Sequence, residues 1–440
     1  MEFQLSGTHM QLIKIKGEIN MYTLGSVTFF TSNAAIAVYI VILALLIAVI
    51  AFTTFLDIRK KNQFRKQNNL ENAEKEVNGK KTRFPELSEF DKNHKDFEKE
   101  PTKEGLTLSS LCEEFRNYAA NDLHLYYSIA DIRKFIASLS VSKIMILQGM
   151  SGTGKTSIAV AFGKFINNAS AVVPVQPMWK ERSDLLGYYN EFTGKFNETM
   201  ILEKLYEASF SNKMFIIILD ELNIARVEYY FSEFLSLLEL PATSERQLIV
   251  AAAGAHGDPR KMSHGKINLP DNVWFLGTAN NDDSTFAISD KVYDRAMIMN
   301  LNSRAEPFKV SVPTGTIQIS FDRFTELVDE ARKSIQISDK ARQQIKELDA
   351  FLVHKFHVTF GNRIMMQIDK YVPAFVACGG KEAEALDDII SKKILRKLES
   401  QNPVYVRNNA EELIAKLDEV FGQDVMANSI DYIHQLANNG

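Results

Sequence analysis

The stretch GMSGTGKTS, residues 149–157, constrains this chain more than any other. It follows the apolar run KIMILQ and precedes TSIAVAFGKFI, an order that reads as strand, loop and amphipathic helix. The spacing Gly149, Gly154, Lys155, Thr156 fits the G-x-x-x-x-G-K-[ST] phosphate loop. Glycine permits backbone angles closed to other residues, so successive N–H groups can turn toward one anion. Met150, Ser151, Gly152 and Thr153 complete the loop, and Ser157 continues the helix whose N-terminal dipole faces the same anion. Lys155 is expected to reach the β- and γ-phosphates of ATP or GTP, and the Thr156 hydroxyl to ligate Mg²⁺.

Such a loop needs a carboxylate to share the metal. Residues 214–221, MFIIILDE, read as a central parallel strand that delivers acids at its carboxyl edge. Asp220 is expected in the Mg²⁺ shell, and Glu221 is expected to orient or deprotonate the attacking water. An apolar strand ending in Asp-Glu means little by itself; downstream of a phosphate loop it gains a role.

The rest of the chain divides by composition. Residues 34–56 run from Ala34 to Leu56 without a charge, roughly 34 Å at helical rise, enough to cross a hydrocarbon core. Arg59, Lys60, Lys61, Arg65 and Lys66 follow the run, so the positive-inside rule puts residues 57–440 in the cytoplasm and residues 1–33 outside. Residues 57–105 mix both charge signs and read as a solvated tether. Residues 106–305 carry the nucleotide motifs. Residues 306–440 place apolar residues three and four apart, as in FTELVDEARKSIQ and ARQQIKELDAFLVHKF, which reads as a series of helices. The net charge of −4 gives no global attraction to nucleic acid, and Cys112 and Cys378 provide neither a disulfide framework nor metal spacing.

From about 106 to 400 the chain resembles the AAA+ ATPases of the McrB-like branch. The resemblance rests on VQPMWKERSDLLGYYNEFTGKFNET (175–199), LDELNIARVEYYFSEFLSLLE (219–239), FLGTANNDDSTFAISDKVYDRAMIMNL (275–301) and FGNRIMMQIDKYV (360–372). It implies an α/β P-loop fold, a parallel five-stranded sheet sandwiched by helices with a C-terminal helical lid, here preceded by one transmembrane helix. By the same resemblance Asn280 is the sensor at the end of its strand, with Asn281 as the neighbouring candidate. Arg295 is the finger offered to an adjacent subunit, its alternative being an ion pair with Asp294 or Asp290. Arg363 is a lid cation, and Arg226 is a weaker candidate for the same interface. A finger supplied in trans implies a ring, and the branch implies a homo-hexamer. The branch's GTP users carry Met-Asn-x-x-Asp-Arg where this chain has Ala279, Asn280, Asn281, Asp282, Asp283 and Ser284, a departure that favours ATP.

Two segments are candidates for gripping a load, both read as hairpins: GYYNEFTGKFNET (187–199) and AAAGAHGDPRKMSHGKINLP (251–270). Their aromatic and basic residues suit DNA or peptide alike. The chain carries no recognisable nuclease motif, so a restriction machine built on it would cut through a separate nuclease subunit. The competing reading is a MoxR-like ATPase that remodels membrane-associated proteins.

Overall fold

The computed structural model describes residues 82–439, apart from 95–96, 242, 281–284 and 303–304, together with the backbone of 21–24 and 27–30. The chain divides into two units, residues 1–81 and 82–440. In the first, Met21–Leu24 pairs antiparallel with Val27–Phe30. The apolar run 34–56 and the basic cluster after it lie outside the described residues. Among the described residues, no helix is long and apolar enough to cross a membrane.

The second unit is built on five strands: β1 (Ile144–Gln148), β2 (Ala171–Pro174), β3 (Phe215–Asp220), β4 (Val273–Ala279) and β5 (Met297–Asn300). Their order across the sheet is β5-β1-β4-β3-β2, and every pairing is parallel. Alternate residues serve different cores, which is why the central strands read as unbroken apolar runs. Ile144, Ile146, Ile217, Leu219 and Phe275 face one core. Met145, Leu147, Ile216, Ile218, Trp274 and Leu276 face the other, against the helices Leu108–Asp122, Ile129–Leu139 and Lys155–Phe165. Trp274 is almost wholly buried, and its indole N–H is satisfied by Leu139 O at 2.9 Å.

Part of the segment expected to be a tether, 57–105, is ordered against the fold, while 57–81 lies outside the described residues. Residues 82–94 form a strap that packs on the folded unit, with Phe84 and Leu87 fully buried. The helix Pro85–Asn93 has no side-chain cap of its own; Glu198 supplies one, accepting from the N–H groups of Glu86 (2.9 Å) and Leu87 (3.0 Å). Arg83 makes a bidentate pair with Asp258, both bonds 2.7 Å, and its carbonyl accepts from Phe196 N–H at 2.7 Å. Arg260 pairs with Asp91 at 3.2 Å. The charges here are partnered across the fold, and one aromatic anchor outweighs the polar composition around it.

The first expected hairpin is present, Gly187–Asn190 pairing antiparallel with Lys195–Glu198. The second begins earlier than expected: Gln247–Ile249 pairs with Lys266–Asn268, so 251–270 holds its connecting loop and second strand only. Tyr188, Tyr189 and Phe192 at the first are exposed. The strap therefore touches both, through Arg83 and Glu198 on one side and Asp258 and Arg260 on the other.

The C-terminal helices are Phe321–Ser334, Asp339–Phe356, Asn362–Ala377, Glu382–Ile389, Pro403–Phe421 and Ala427–Asn439. From Ile337 onward their apolar faces close a third core. Ser320, Ser338 and Asn402 cap three of them by accepting from backbone N–H groups. The helical run expected through Leu398 changes character after Ile389: Ile390–Ile394 is a π turn and Leu395–Ser400 is 3₁₀. The widened turn sends neighbouring lysines to different partners. Lys392 reaches Asp388 at 2.5 Å, whereas Lys393 reaches the carbonyl of Tyr293 at 2.5 Å and that of Ala296. This segment is a polar junction.

Candidate nucleotide site

The phosphate loop sits where β1 ends, beside the carboxyl ends of β3 and β4. Gly149, Gly152 and Gly154 have φ of 144°, 79° and 95°. The demand at Gly149 is also spatial, since a Cβ there would lie 2.2 Å from Leu301 O. Lys155 is largely buried and donates to the carbonyls of Gly149 and Met150, both at 2.8 Å. Thr153 donates to Met150 O at 2.9 Å. The ammonium group thus lies inside the loop's curve, where it would meet the terminal phosphates.

A chain of hydroxyls and carboxylates runs from the loop across two strands. Thr156 and Thr278 each donate to the same oxygen of Asp220, Oδ1, at 2.8 Å. Thr278 Oγ1 in turn accepts from Glu221 N–H, also at 2.8 Å. Glu221 adopts a left-handed backbone, φ 53° and ψ 50°, unusual for a side chain of its size. The Thr278 hydroxyl helps hold that conformation, which leaves the Glu221 carboxylate exposed toward the cavity. Asn223 braces the sensor turn by donating to Asn280 O at 2.9 Å and Phe286 O at 3.3 Å. The Asn280 side-chain oxygen is buried and has no hydrogen-bond partner among the described residues.

These groups line a cavity of about 550 Å³. Loop residues 151–157, Asp220, Glu221, Thr278 and Asn280 form one wall; His124 to Tyr127 and Ala305 form the other. Tyr127 donates to Gly154 O at 3.2 Å, and burial pushes its phenol pKa up, so it stays neutral. Arg116 fixes that wall by donating to Tyr127 O at 3.1 Å while lying 3.8 Å over the Phe308 ring. The Thr156 hydroxyl and Asp220 carboxylate are hard oxygen donors in contact. That set suits Mg²⁺, which takes few protein ligands and completes its shell with water and phosphate.

Asp220, Glu221, Asn280 and the loop come together; the arginines do not. Arg295 Nε lies 2.9 Å from Glu239 Oε1, and Arg363 Nη2 lies 2.7 Å from the same oxygen. The partner of Arg295 is therefore Glu239 rather than Asp290 or Asp294, and Asp290 pairs with Arg396. Neither Arg295 nor Arg363 lines the cavity of its own subunit. Arg226 is exposed, 3.9 Å from Glu228 and 5.0 Å from the Phe286 ring centroid. Asn281 lies outside the described residues. Sequence reasoning missed Thr278, Asn223 and Tyr127. The hydroxyl in FLGTAN, two positions before Asn280, was a signal for the first; nothing local marked the others.

Residues 144–296 match the AAA domain of the dynein-related subfamily. Residues 311–440 match a domain of unknown function (DUF8727). Over 211 residues the chain is 24% identical to the type IV methyl-directed restriction enzyme EcoKMcrB subunit of Escherichia coli strain K12. That match covers 43% of this chain and 44% of that protein, so less than half of the relative's length is spanned. Among solved structures, a candidate ATPase from Cytophaga hutchinsonii matches with TM-score 0.43 at 15% identity, covering 76% of this chain and 96% of that one. A full-length MCM homolog from Methanopyrus kandleri matches with TM-score 0.35 at 11% identity, covering 66% and 62%. The phosphate loop, the parallel sheet and the AAA match together make this an AAA+ P-loop fold with a helical C-terminal part, and such a domain binds nucleotide.

Proposed function

We propose that this AAA+ chain hydrolyses ATP, with GTP as the alternative nucleotide, and works as the motor of an McrB-like assembly. The observation that carries the reading is the hydrogen-bonded line Thr156–Asp220–Thr278–Glu221 beside the phosphate loop. Thr156 and Asp220 would hold Mg²⁺, which when bound would supply charge neutralisation at the phosphates. Lys155 would exchange its bonds to the Gly149 and Met150 carbonyls for phosphate oxygens. Glu221 would align the attacking water and accept its proton, while the unpartnered Asn280 oxygen would hold that water's second hydrogen.

Arg295, which lies away from its own cavity, suits donation to a neighbouring subunit, and this supports a ring of hexameric type. The load in this reading is foreign DNA handled with a separate nuclease subunit, met through the exposed aromatics of the 187–198 hairpin. Residues 34–56 would anchor the assembly in a membrane with the AAA domain on the cytoplasmic side.

The test measures turnover of ATP and GTP, with and without duplex DNA, for the full chain in detergent or vesicles. Lys155→Ala should abolish nucleotide binding, and Glu221→Gln should bind but not turn over. Retained turnover in Glu221→Gln would refute the catalytic assignment. Stimulation by a membrane protein substrate and none by DNA would move the load to the remodelling class.

A further inference from the structure

Four consecutive backbone carbonyls, those of residues 293 to 296, each accept a hydrogen bond from a side chain. Lys393 Nζ donates to Tyr293 O at 2.5 Å and to Ala296 O. Gln367 donates to Asp294 O at 3.0 Å, and Ser142 to Arg295 O at 2.8 Å. A short surface helix such as Asp290–Tyr293 would ordinarily leave its last carbonyls to water. Here they are held by buried groups, Lys393 being 4% and Gln367 8% exposed. Three of the four bonds come from the C-terminal helical part. Lys393 can serve both of its carbonyls in either protonation state, because even a neutral amine has two N–H bonds.

The same turn is tied to the phosphate loop. Gln148, the residue before Gly149, donates to the Tyr293 hydroxyl. On the Tyr293 ring lies the Arg396 guanidinium, 3.5 Å from the centroid, and Arg396 also pairs with Asp290. Tyr293 therefore has its hydroxyl on the base of the loop, its ring on the helical part, and its carbonyl on Lys393. Arg295 is two residues further along. Nothing in hydrolysis within one subunit requires so much control of this turn, because Arg295 points to Glu239 and not into its own cavity.

We propose that Lys393 and Tyr293 are positioning residues that couple a subunit's own phosphate loop and helical part to the arginine it offers its neighbour. Lys393 sets the turn; Tyr293 reports the state of the loop through Gln148. The proposal rests on the reading of Arg295 as a trans-acting finger, and the experiment keeps the two apart.

Lys393→Met should lower kcat by about a hundredfold, the cost of misplacing a catalytic group by an ångström, with nucleotide Kd unchanged within about threefold. The decisive arm is complementation. Glu221→Gln subunits cannot hydrolyse but carry an intact turn, so mixing them with Lys393→Met subunits should raise turnover above the weighted mean of the two homogeneous preparations. Turnover at or below that mean overturns the proposal. Arg295→Ala subunits mixed in the same way should also be rescued; if they alone are active without mixing, the finger reading fails instead. Should Lys393→Met not fold, Gln367→Met removes one carbonyl bond and should show a smaller loss of the same kind. Tyr293→Phe removes only the Gln148 bond and should bring the Hill coefficient for nucleotide toward one at near-normal kcat. An unchanged Hill coefficient, or a wild-type value of one, refutes the loop-to-turn coupling.

Discussion

Replacing Thr278 by valine keeps the volume of a fully buried side chain and removes one oxygen. That oxygen makes two bonds at 2.8 Å, accepting from Glu221 N–H and donating to Asp220 Oδ1. The first loss leaves a backbone donor unsatisfied at a left-handed residue, and the second removes a donor from a carboxylate. A hydrogen bond to a charged group contributes about 1.5–3 kcal/mol, and an orphaned buried donor costs about 1–3 kcal/mol. Lys155 and the loop amides are untouched, so nucleotide affinity should stay within about threefold. If the loss falls on the geometry of Glu221, about 1.5–3 kcal/mol becomes a fall in kcat of roughly ten- to 150-fold. Steady-state turnover alongside equilibrium binding of a fluorescent nucleotide separates the two effects. Thr278→Ser restores the hydroxyl without the methyl and should recover most of the rate. A valine variant that binds weakly but turns over normally at saturation would show that Thr278 serves the metal shell alone, and the placement of Glu221 would need another cause.

A chain begun at Leu106 loses the buried Phe84 and Leu87 and should unfold about 3–5 kcal/mol more easily than one begun at Thr82; equal midpoints would refute the packing of the strap. Gly149→Ala should abolish nucleotide binding, because its Cβ would meet Leu301 O at 2.2 Å, and titration calorimetry measures this. Burial lowers the Lys393 pKa to about 7, with Asp294 opposing and Arg396, Arg363 and Lys397 reinforcing the shift. Between that value and the ordinary lysine value near ~10.4 the unfolded chain binds the extra proton, so Lys393 makes stability rise with pH there, by at most ~1.4 kcal/mol per unit. Wild type minus Lys393→Met stability should therefore grow between pH 7 and pH 9 in urea titrations; a flat difference would mean the amine keeps its proton.

The parts of this molecule that could be read from the chain are those whose signal is local. Gly149 to Thr156 announce a backbone shape, and MFIIILD announces a strand buried on both faces, because each requirement acts on adjacent residues. Thr278 was hidden because a hydroxyl in an apolar strand looks like tolerated polarity until Asp220 is seen beside it. Tyr127 reaches Gly154 from a distant segment, and no spacing encodes that. The strap was concealed by averaging: lysines and glutamates around Phe84 set the composition, while one ring buried 4.9 Å from Phe196 sets the structure. Arg363 sits near the start of its helix, and a shared carboxylate, Glu239, holds it beside Arg295 and away from the cavity.

The strap has a mechanical consequence. Tension entering the chain ahead of Thr82 meets Arg83 and Phe84 first, and these are fastened to two ribbons at once. Neither ribbon can be displaced without straining the other through that common splice. The pair will therefore yield as a single jaw, with Asp258 and Glu198 as its rivets.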